Sequence, residues 1–462
     1  MGNGKDLEPL FTPGSVAVVG ASDRPGKISG VIMESLKAGG FKGEVYPVNP
    51  AHETVFGLEC HPSISSIEGG VDLAVFAVPA PVVPGLLREA GDSFRAAVII
   101  SGGFGESGPE GEALEEEVRA MAAASGVRVV GPNCMGIFNS EAGLDTFFIP
   151  RDKLKRPRAG GVSIISQSGS FAITAMAELA AEGVGVSKVV SYGNGVDVNE
   201  ADCLDFLAED ASTGAVAMYM ESVTDGRAFV EVASRCSAVK PVMALKVGRH
   251  EAGARAARSH TGAITGRYEV YRAAFARAGV LEAEGYEDFI GGCKAFGMER
   301  DAGGGRVAII TDGGGIGVGL ADACADMGLE VPPLDAGLAE GLSALFPPFF
   351  PVSNPLDLTG SATDGLFADA VEKTLEGDFC DIMIVAALWG PPSLTDGLAG
   401  LIGDRAAATD KPVIICTPGG EYSRARLALW RKEGLPVFST PESAVRAAAV
   451  LARKGAGGAG AG

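Results

Sequence analysis

Four histidines occur in the 462-residue chain, and the surroundings of His260 suit phosphoryl chemistry. His260 lies in the polar, glycine-bearing segment 254–268, with Arg255 and Arg258 close to it in the sequence. Near neutral pH an imidazole is mostly unprotonated and nucleophilic, and arginines attract phosphate. Because most histidines are ordinary surface or core residues, this spacing alone leaves a structural role open. The hypothesis is a mobile loop whose histidine carries phosphate.

A carboxylate in the same part of the chain is a candidate partner for this histidine. Glu221 directly follows the strand-like run 216–220. A carboxylate that holds the Nδ1–H of an imidazole leaves Nε2 as the nucleophile. A helix cap or a solvated acid is the alternative role for Glu221.

Two glycine-bearing turns could hold the phosphate. Ser168, Gly169 and Ser170 follow the apolar run 162–166 and precede an apolar helix, so backbone N–H groups and hydroxyls would face an anion. Simple capping of that helix by serine is the alternative. The second turn contains Gly193 and Asn194, whose amide could act as a donor.

The elements that must position these residues alternate between short apolar strands and helices. This alternation predicts parallel sheets covered on both faces, an α/β fold. In the first series the strand-like runs are 15–19, 44–50, 73–78, 97–103 and 127–132. Their glycine-rich ends should meet at one edge of a Rossmann-like sheet, where an extended ligand binds. The dipeptide Asn49-Pro50 stands where a dinucleotide-binding domain would carry an acid, which disfavours an NAD-dependent oxidoreductase.

Two further β/α series follow. We predict domains at 1–146, 158–298 and 304–455, and a flexible tail at 456–462. In the third domain, residues 312–317 form a glycine-rich turn after a strand. Because no acid follows at the next strand end, we interpret this domain as a structural or assembly module, with a binding role as the lesser alternative.

Composition restricts the partners and the compartment. The formal net charge of −20 disfavours nucleic acid and anionic membrane surfaces as main partners. The eight cysteines show neither CxxC pairs nor metal-ligand spacing, which indicates reduced core thiols and no metal site in this chain. There is no signal-peptide pattern, and no apolar run reaches the roughly 18 residues of a membrane span. We therefore expect a cytoplasmic protein.

Taken in order, the motifs resemble those of the ADP-forming acyl-CoA synthetases, which are relatives of succinyl-CoA synthetase. The chain is most similar to the α subunit of an ADP-forming acetate–CoA ligase. The resemblance runs from about residue 8 to 455. It is carried by VAVVGASDRPG, YPVNP, VPAP, SGGFGESG, GPNCMG, SQSGS, YGNGVDVNEAD, SHTGA, VAIITDGGG and NPLDLTG.

The resemblance implies three consecutive domains: a Rossmann-like coenzyme A-binding domain and two flavodoxin-like, succinyl-CoA synthetase-like domains. His260 would be the phosphohistidine and Glu221 its supporting acid. The implied coenzyme A-binding residues are Gly20, Ser22, Pro25, Gly26, Val78, Pro79, Ser101 and Asn133. The implied phosphate-binding residues are Ser168, Gly169, Ser170, Gly193 and Asn194.

The implied reaction reversibly converts acyl-CoA, phosphate and ADP into a small organic acid, coenzyme A and ATP. It passes through an acyl phosphate and the phosphohistidine. Since little sequence follows residue 455, ADP or ATP with Mg²⁺ would bind to a partner, an ATP-grasp β subunit, in an α2β2 assembly. A non-catalytic coenzyme A-binding or regulatory protein is the alternative.

Overall fold

The chain forms two compact units in a computed structural model, Met1–Glu284 and Gly285–Gly462. The described residues are 7–261, 266–298, 300, 302–348 and 350–459, of which 257–261 and 454–459 are described by their backbone alone. Both units alternate strands with helices around parallel sheets, which confirms the predicted α/β class.

The first sheet of the first unit is five-stranded and parallel, with strand order β2-β1-β5-β6-β7. Its strands are β1 Ser15–Val19, β2 Glu44–Val48, β5 Val71–Phe76, β6 Phe94–Ile99 and β7 Arg128–Val130. A separate hairpin is formed by β3 Thr54–Val55 and β4 Leu58–Glu59. The helices are α1 Glu8–Phe11, α2 Ile28–Gly39, α3 Val83–Ala90 and α4 Pro109–Ser125. The central strands are buried along almost their whole length, as expected where helices cover both faces of a sheet.

The second sheet has seven strands in the order β14-β13-β12-β10-β11-β8-β9. The strands are β8 Gly136–Asn139, β9 Leu144–Asp145, β10 Val162–Ser166, β11 Val186–Ser191, β12 Ala215–Met220, β13 Val242–Lys246 and β14 Leu281–Glu282. The helices are α5 Gly169–Ala181, α6 Glu200–Glu209, α7 Gly226–Ser237, α8 Glu251–Thr261 and α9 Tyr268–Ala278. Strands β10 to β14 pair in parallel, whereas β8 is antiparallel to β11 and to β9.

The structure differs from the sequence-based prediction at β8 and β9. We placed these residues in the first domain, but both strands extend the second sheet. Asn139 ties this addition to the N-terminal segment, because its buried amide donates to the Phe11 carbonyl at 2.9 Å. The two sheets therefore share an extended core within one unit.

The predicted loop around His260 is also partly wrong, because α8 covers residues 251–261. Alanines at 252, 254 and 256 favour a helix and outweigh the single Gly253. An ion pair one turn apart supports it, with Arg255 Nη1 2.7 Å from Glu251 Oε1. Residues 262–265 and the side chain of His260 lie outside the described residues.

The second unit contains one parallel sheet of order β16-β15-β17-β18-β19. The strands are β15 Val307–Thr311, β16 Leu356–Asp357, β17 Ile382–Ala386, β18 Val413–Cys416 and β19 Val437–Phe438. The helices are α10 Tyr286–Phe296, α11 Gly314–Asp326, α12 Ala336–Leu345, α13 Asp364–Leu375, α14 Leu398–Ala407, α15 Glu421–Lys432 and α16 Pro441–Ala459.

Helix α16 runs into the segment that we predicted as a flexible tail from residue 456. Extending a helix costs less than starting one, so the alanines at 456 and 459 continue it despite the intervening glycines. Across the described parts of both units, every helix is too short or too polar to cross a membrane.

Candidate functional site

A cavity of about 960 Å³ opens at the carboxyl end of the first sheet and reaches the start of α5. Loops that follow β1, β2, β5, β6, β7, β10 and β11 contribute to its wall. All predicted cofactor- and phosphate-binding residues except Pro25 line it: Gly20, Ser22, Gly26, Val78, Pro79, Ser101, Asn133, Ser168, Gly169, Ser170, Gly193 and Asn194. The fold thus joins turns from both sheets of the first unit in one site.

The turn after β1 is shaped by close backbone packing. Gly20 has φ +84°, and a Cβ at this position would lie 2.7 Å from Val78 Cγ1. The N–H of Gly20 donates to the Val48 carbonyl at 2.9 Å. Gly26, at φ +80°, faces open space, since a Cβ added there would meet nothing within 4 Å. Only glycine at position 20 lets the backbone lie this close to Val78 without a clash.

Asn49 has a structural role in the same turn. Its amide donates to the Ala21 carbonyl at 2.9 Å, and its Oδ1 accepts from the Ala51 N–H at 3.0 Å. A side chain used in this way cannot replace the acid that binds a ribose diol in dinucleotide-binding domains. The contacts of Asn49 therefore argue against an NAD site, in agreement with the sequence.

Basic side chains give the cavity its charge. Arg24, Lys27 and His52 line it, and none of the described residues in its wall is an aspartate or glutamate. Arg24 and Lys27 are both exposed. In a chain of net charge −20, a wall with two permanent cations and no carboxylate selects anions. Sequence analysis missed these three residues, although Arg24 and Lys27 lie in or next to the first turn.

The second glycine turn packs against the loop after β7. Gly193 has φ +59°, and a Cβ there would lie 2.3 Å from the Pro132 carbonyl oxygen. The N–H of Asn194 donates to that same oxygen at 3.0 Å. The side chains of Asn133 and Asn194 meet at 3.3 Å. This turn therefore joins the two sheets at the cavity wall.

The predicted phosphate donor Asn194 uses its amide within the protein. Its Nδ2 donates to Glu106 Oε2 and to Glu115 Oε2, both at 2.8 Å. Burial raises the pKa of Glu106, but hydrogen bonds from Asn194 and from the N–H groups of Gly103 and Phe104 outweigh it and lower the pKa overall. In this arrangement the Asn194 side chain joins the turn after β11 to Glu106 and to Glu115 on α4, and its role toward phosphate stays a prediction.

Ser168 both caps α5 and faces the cavity, so the two roles considered for it are compatible. Its Oγ accepts the Phe171 N–H at 3.4 Å and lies 3.1 Å from Ser170 Oγ. Gly169 is the first residue of α5, and a Cβ there would lie 3.2 Å from Met135 Cβ. A thirteen-residue helix thus presents its N-terminus and two hydroxyls to the cavity.

Glu221 is connected to this helix start by Gln167, a residue that sequence analysis missed. Gln167 lines the cavity, and its Oε1 accepts the N–H groups of Glu221 and Ser222 at 2.8 and 3.0 Å. Glu221 itself is buried and is not part of the cavity wall. Burial, and then the charge of Glu221 and a hydrogen bond with it, raise the pKa of Tyr219 to about 12. The position of Gln167 directly before Ser168, a predicted phosphate ligand, was the available signal.

His260 belongs to α8, which contacts the turn Gly105–Ser107 beside the cavity-lining loop after β6. Arg255, predicted to flank the imidazole, pairs with Glu251 on the exposed surface of α8. The side chain of Arg258 lies outside the described residues, as does that of His260. The roles of His260 and Glu221 therefore stay predictions.

Family models match consecutive parts of the chain. A CoA binding domain matches residues 14–140, a succinyl-CoA ligase like flavodoxin domain matches 159–296, and a Ligase-CoA domain matches 307–457. Together they cover most of the 462 residues.

Curated relatives include two alpha subunits from Pyrococcus furiosus. Acetate–CoA ligase [ADP-forming] II subunit alpha is 36% identical over 97% of this chain and 98% of its own length. The corresponding I subunit alpha is 37% identical over 96% and 97%. Acetate–CoA ligase [ADP-forming] I of Archaeoglobus fulgidus is 38% identical, and there the chain spans 63% of the relative.

A solved structure has the same fold over nearly its full length. It is the dinucleotide forming acetyl-coenzyme A synthetase 1 of Candidatus Korarchaeum cryptofilum, in complex with phosphate and ADP. The TM-score is 0.92 at 37% identity, with 99% of this chain and 98% of that chain covered.

Proposed function

The chain belongs to the family of ADP-forming acetate–CoA ligases, and we propose that it works as the alpha subunit of such an enzyme. The observation that carries the proposal is the cavity, in which glycine turns, two serine hydroxyls and three basic side chains meet without a carboxylate in the described wall. Two relatives named alpha subunits match over almost their whole length, which supports the subunit assignment.

Coenzyme A is the proposed ligand of the cavity. The cavity volume of about 960 Å³ lies at the upper end of the range for ligand pockets, as a long cofactor requires. The turn around Ser22 and Gly26, with Arg24 and Lys27, would bind the phosphates. The wall formed by Val78, Pro79, Ser101 and Asn133 would hold the less charged part. The thioester end would then lie toward Ser168 and Ser170, where phosphate binds.

The proposed chemistry begins when phosphate attacks the thioester carbonyl, which forms an acyl phosphate and releases the coenzyme A thiol. Nε2 of His260 then attacks the phosphorus, and the bond from phosphorus to the acyl oxygen breaks as the carboxylate leaves. Glu221 accepts a hydrogen bond from Nδ1–H and stabilises the positive charge on the ring. The N–H groups at the start of α5 stabilise the anionic oxygens of the phosphoryl group.

In the final step an oxygen of ADP attacks the phosphohistidine, the P–N bond breaks and ATP forms. An ATP-grasp β subunit would bind ADP with Mg²⁺, and an α2β2 assembly is the proposed stoichiometry. A small organic acid is the proposed product.

We place the protein in the cytoplasm, consistent with its eight free, buried cysteines.

The proposal is tested by phosphorylation from ATP. The chain is incubated with an ATP-grasp β subunit and γ-labelled ATP, and the expected label is acid-labile and base-stable. His260→Ala should abolish it, whereas His250→Ala, an exposed histidine just before α8, should retain it.

A label that survives His260→Ala would contradict the proposal. Binding of coenzyme A without any label would instead favour the alternative, a non-catalytic coenzyme A-binding or regulatory protein.

A further inference from the structure

Met135 and Phe148 are large apolar side chains of the cavity wall that have no role in the chemistry proposed above. Met135 is 9% exposed and lies against the first residue of α5, because a Cβ on Gly169 would be 3.2 Å from Met135 Cβ and 3.4 Å from its Cε. The N–H of Met135 donates to Ser191 Oγ at 3.1 Å, which holds its backbone at the end of β11. Met135 therefore borders the place where phosphate is proposed to bind.

Phe148 lies opposite Met135 because of the register between β8 and β9. Thr146 continues this antiparallel pairing beyond β9, since its N–H donates to the Ile137 carbonyl at 2.9 Å and its Oγ1 accepts the Ile137 N–H at 2.8 Å. Extended by two residues, the same register brings Met135 and Phe148 to opposite positions, where side chains share a face. Both line the cavity, as this register requires. We call these two residues the apolar pair.

Buried ion pairs hold the segment that carries Phe148. Asp145 is fully buried, and its Oδ2 accepts from Arg151 Nε at 3.0 Å and from Arg156 Nε at 3.1 Å. Phe147 is also fully buried, so that it anchors the chain in the core directly before Phe148. A side chain held in this way by its neighbours can limit the size of a group that binds beside it.

The cavity wall around the apolar pair is uncharged. In the described wall the basic side chains belong to the loops after β1 and β2, whereas the loops after β7, β9, β10 and β11 contribute apolar, amide, hydroxyl and thiol groups. The thiol is that of Cys134, which donates to the Ile99 carbonyl at 3.2 Å. Burial raises the pKa of Cys134 to about 12, so the thiol is neutral near pH 7. A carboxylate buried beside the pair would meet no cation among the described residues of these four loops, which is costly.

We propose that Met135 and Phe148 form the acyl subsite of the enzyme and restrict it to short, uncharged acyl groups, those of small monocarboxylic acids. The inference deepens the proposed function and rests on it, because the pair contacts the acyl group only if the thioester lies toward Ser168. An acyl group beside Met135 has its carbonyl carbon near the N-terminus of α5, where the attacking phosphate would be held. Each further methylene would have to enter space that the two side chains fill. The volume of the pair selects size, and the uncharged wall selects against a second carboxylate.

The test measures kcat/KM of the α–β complex for acetyl-CoA, butyryl-CoA and succinyl-CoA with phosphate and ADP, from the release of the coenzyme A thiol. Butyryl and succinyl groups have the same number of carbons and differ in the terminal carboxylate. The wild type should convert acetyl-CoA about a hundredfold more efficiently than butyryl-CoA. In Met135→Ala and in Phe148→Ala the ratio of butyryl-CoA to acetyl-CoA efficiency should rise about tenfold, while succinyl-CoA stays a poor substrate.

Matched controls come from the core of the same unit. Met33 and Phe206 pack in or against this core outside the described cavity wall, so Met33→Ala and Phe206→Ala should keep the wild-type ratio. Because the ratio is measured on one preparation, a smaller folded fraction cancels from it. The milder variants Met135→Val and Phe148→Leu retain an apolar side chain, and they should raise the ratio by about threefold.

The outcomes separate the inference from the proposed function. An unchanged ratio in the variants of the apolar pair would overturn the inference, as would equal gains for butyryl-CoA and succinyl-CoA. A wild type that converts butyryl-CoA as efficiently as acetyl-CoA would also overturn it. If the wild-type complex converts none of the three thioesters, the proposed function fails and the inference fails as well. If acetyl-CoA is converted but the ratio does not respond, the inference alone fails.

Discussion

The turn after β1 and the turn after β15 follow the same plan of strand, glycines and helix, but their surroundings differ. Beside the first, Gly26 faces open space and the cavity begins. Beside the second, a Cβ on Gly313 would lie 2.6 Å from Leu388 Cδ2, and one on Gly314 would lie 2.5 Å from Asp357 Oδ2. The comparison shows that the first turn borders a cavity beside Gly26, whereas Gly313 and Gly314 of the second turn pack against neighbouring side chains.

Buried polar contacts explain this difference in the second unit. Asp312 at the end of β15 accepts the Leu388 N–H at 2.7 Å, and Ser423 donates to the Leu388 carbonyl at 3.2 Å. Trp430 donates from Nε1 to Thr417 at 3.1 Å. These bonds tie together the strand ends of the third sheet, whereas the loops that follow the strands of the first sheet border the cavity.

The largest effect should come from removing the cations in and next to the turn after β1. In Arg24→Ala/Lys27→Ala we expect coenzyme A to bind about a hundredfold more weakly, roughly tenfold for each lost charge-assisted contact with phosphate. Isothermal titration calorimetry at fixed salt measures the change. The control Lys37→Ala/Lys42→Ala removes the same charge from exposed positions outside the cavity wall. Equal losses in the two double variants would mean that only the net charge matters.

An intermediate effect is expected at Glu200, the first residue of α6. Because burial raises the pKa of Glu200 from 4.5 to about 7, the folded state binds more protons than the unfolded state between these values. Stability therefore falls as the pH rises from about 4.5 to about 7, by about 3 kcal/mol. In Glu200→Gln the thermal midpoint should vary less between pH 5 and pH 8.

The control for this substitution is Glu209→Gln, at the exposed end of the same helix, which should keep the wild-type pH dependence. A Glu200→Gln midpoint that declines with pH as steeply as the wild type would contradict the raised pKa.

The smallest effect is expected in the turn after β15, which we call the closed turn. Gly314→Ala should destabilise the second unit by about 1–2 kcal/mol, because its Cβ would meet the Asp357 carboxylate. Gly315→Ala has nothing within 4 Å of the added Cβ and should be neutral or slightly stabilising in α11. Differential scanning calorimetry measures both. Neither should change the affinity for coenzyme A, and a marked loss in Gly314→Ala would show that the closed turn also binds ligand.

Much of the site was predictable because parallel strands place their carboxyl ends at one edge. From that rule we predicted that the residues after β1, β5, β6 and β7 lie close together, and the structure confirms this proximity. It did not predict the role of Gln167, since the partners of a long polar side chain in a buried turn become visible only in three dimensions. At α8 the high helix propensity of the alanines outweighs the glycine, so a helix forms where we predicted a loop.

The hydrogen-bond partners of the Asn194 side chain could not be predicted from the sequence either. Its glycine-rich setting suggests a ligand contact, but two glutamates from distant positions, Glu106 and Glu115, accept its amide. Long-range pairing of this kind leaves no local pattern.

The most direct test of a phosphohistidine at His260 is phosphorylation in the ATP-forming direction. The α–β complex is mixed with acetyl-CoA and labelled inorganic phosphate without ADP, and the phosphopeptide is mapped at alkaline pH. One phosphoryl group should appear on His260, and ADP should then remove it as ATP. A label on His52, His61 or His250, or turnover to ATP without any phosphorylated histidine in this chain, would contradict it.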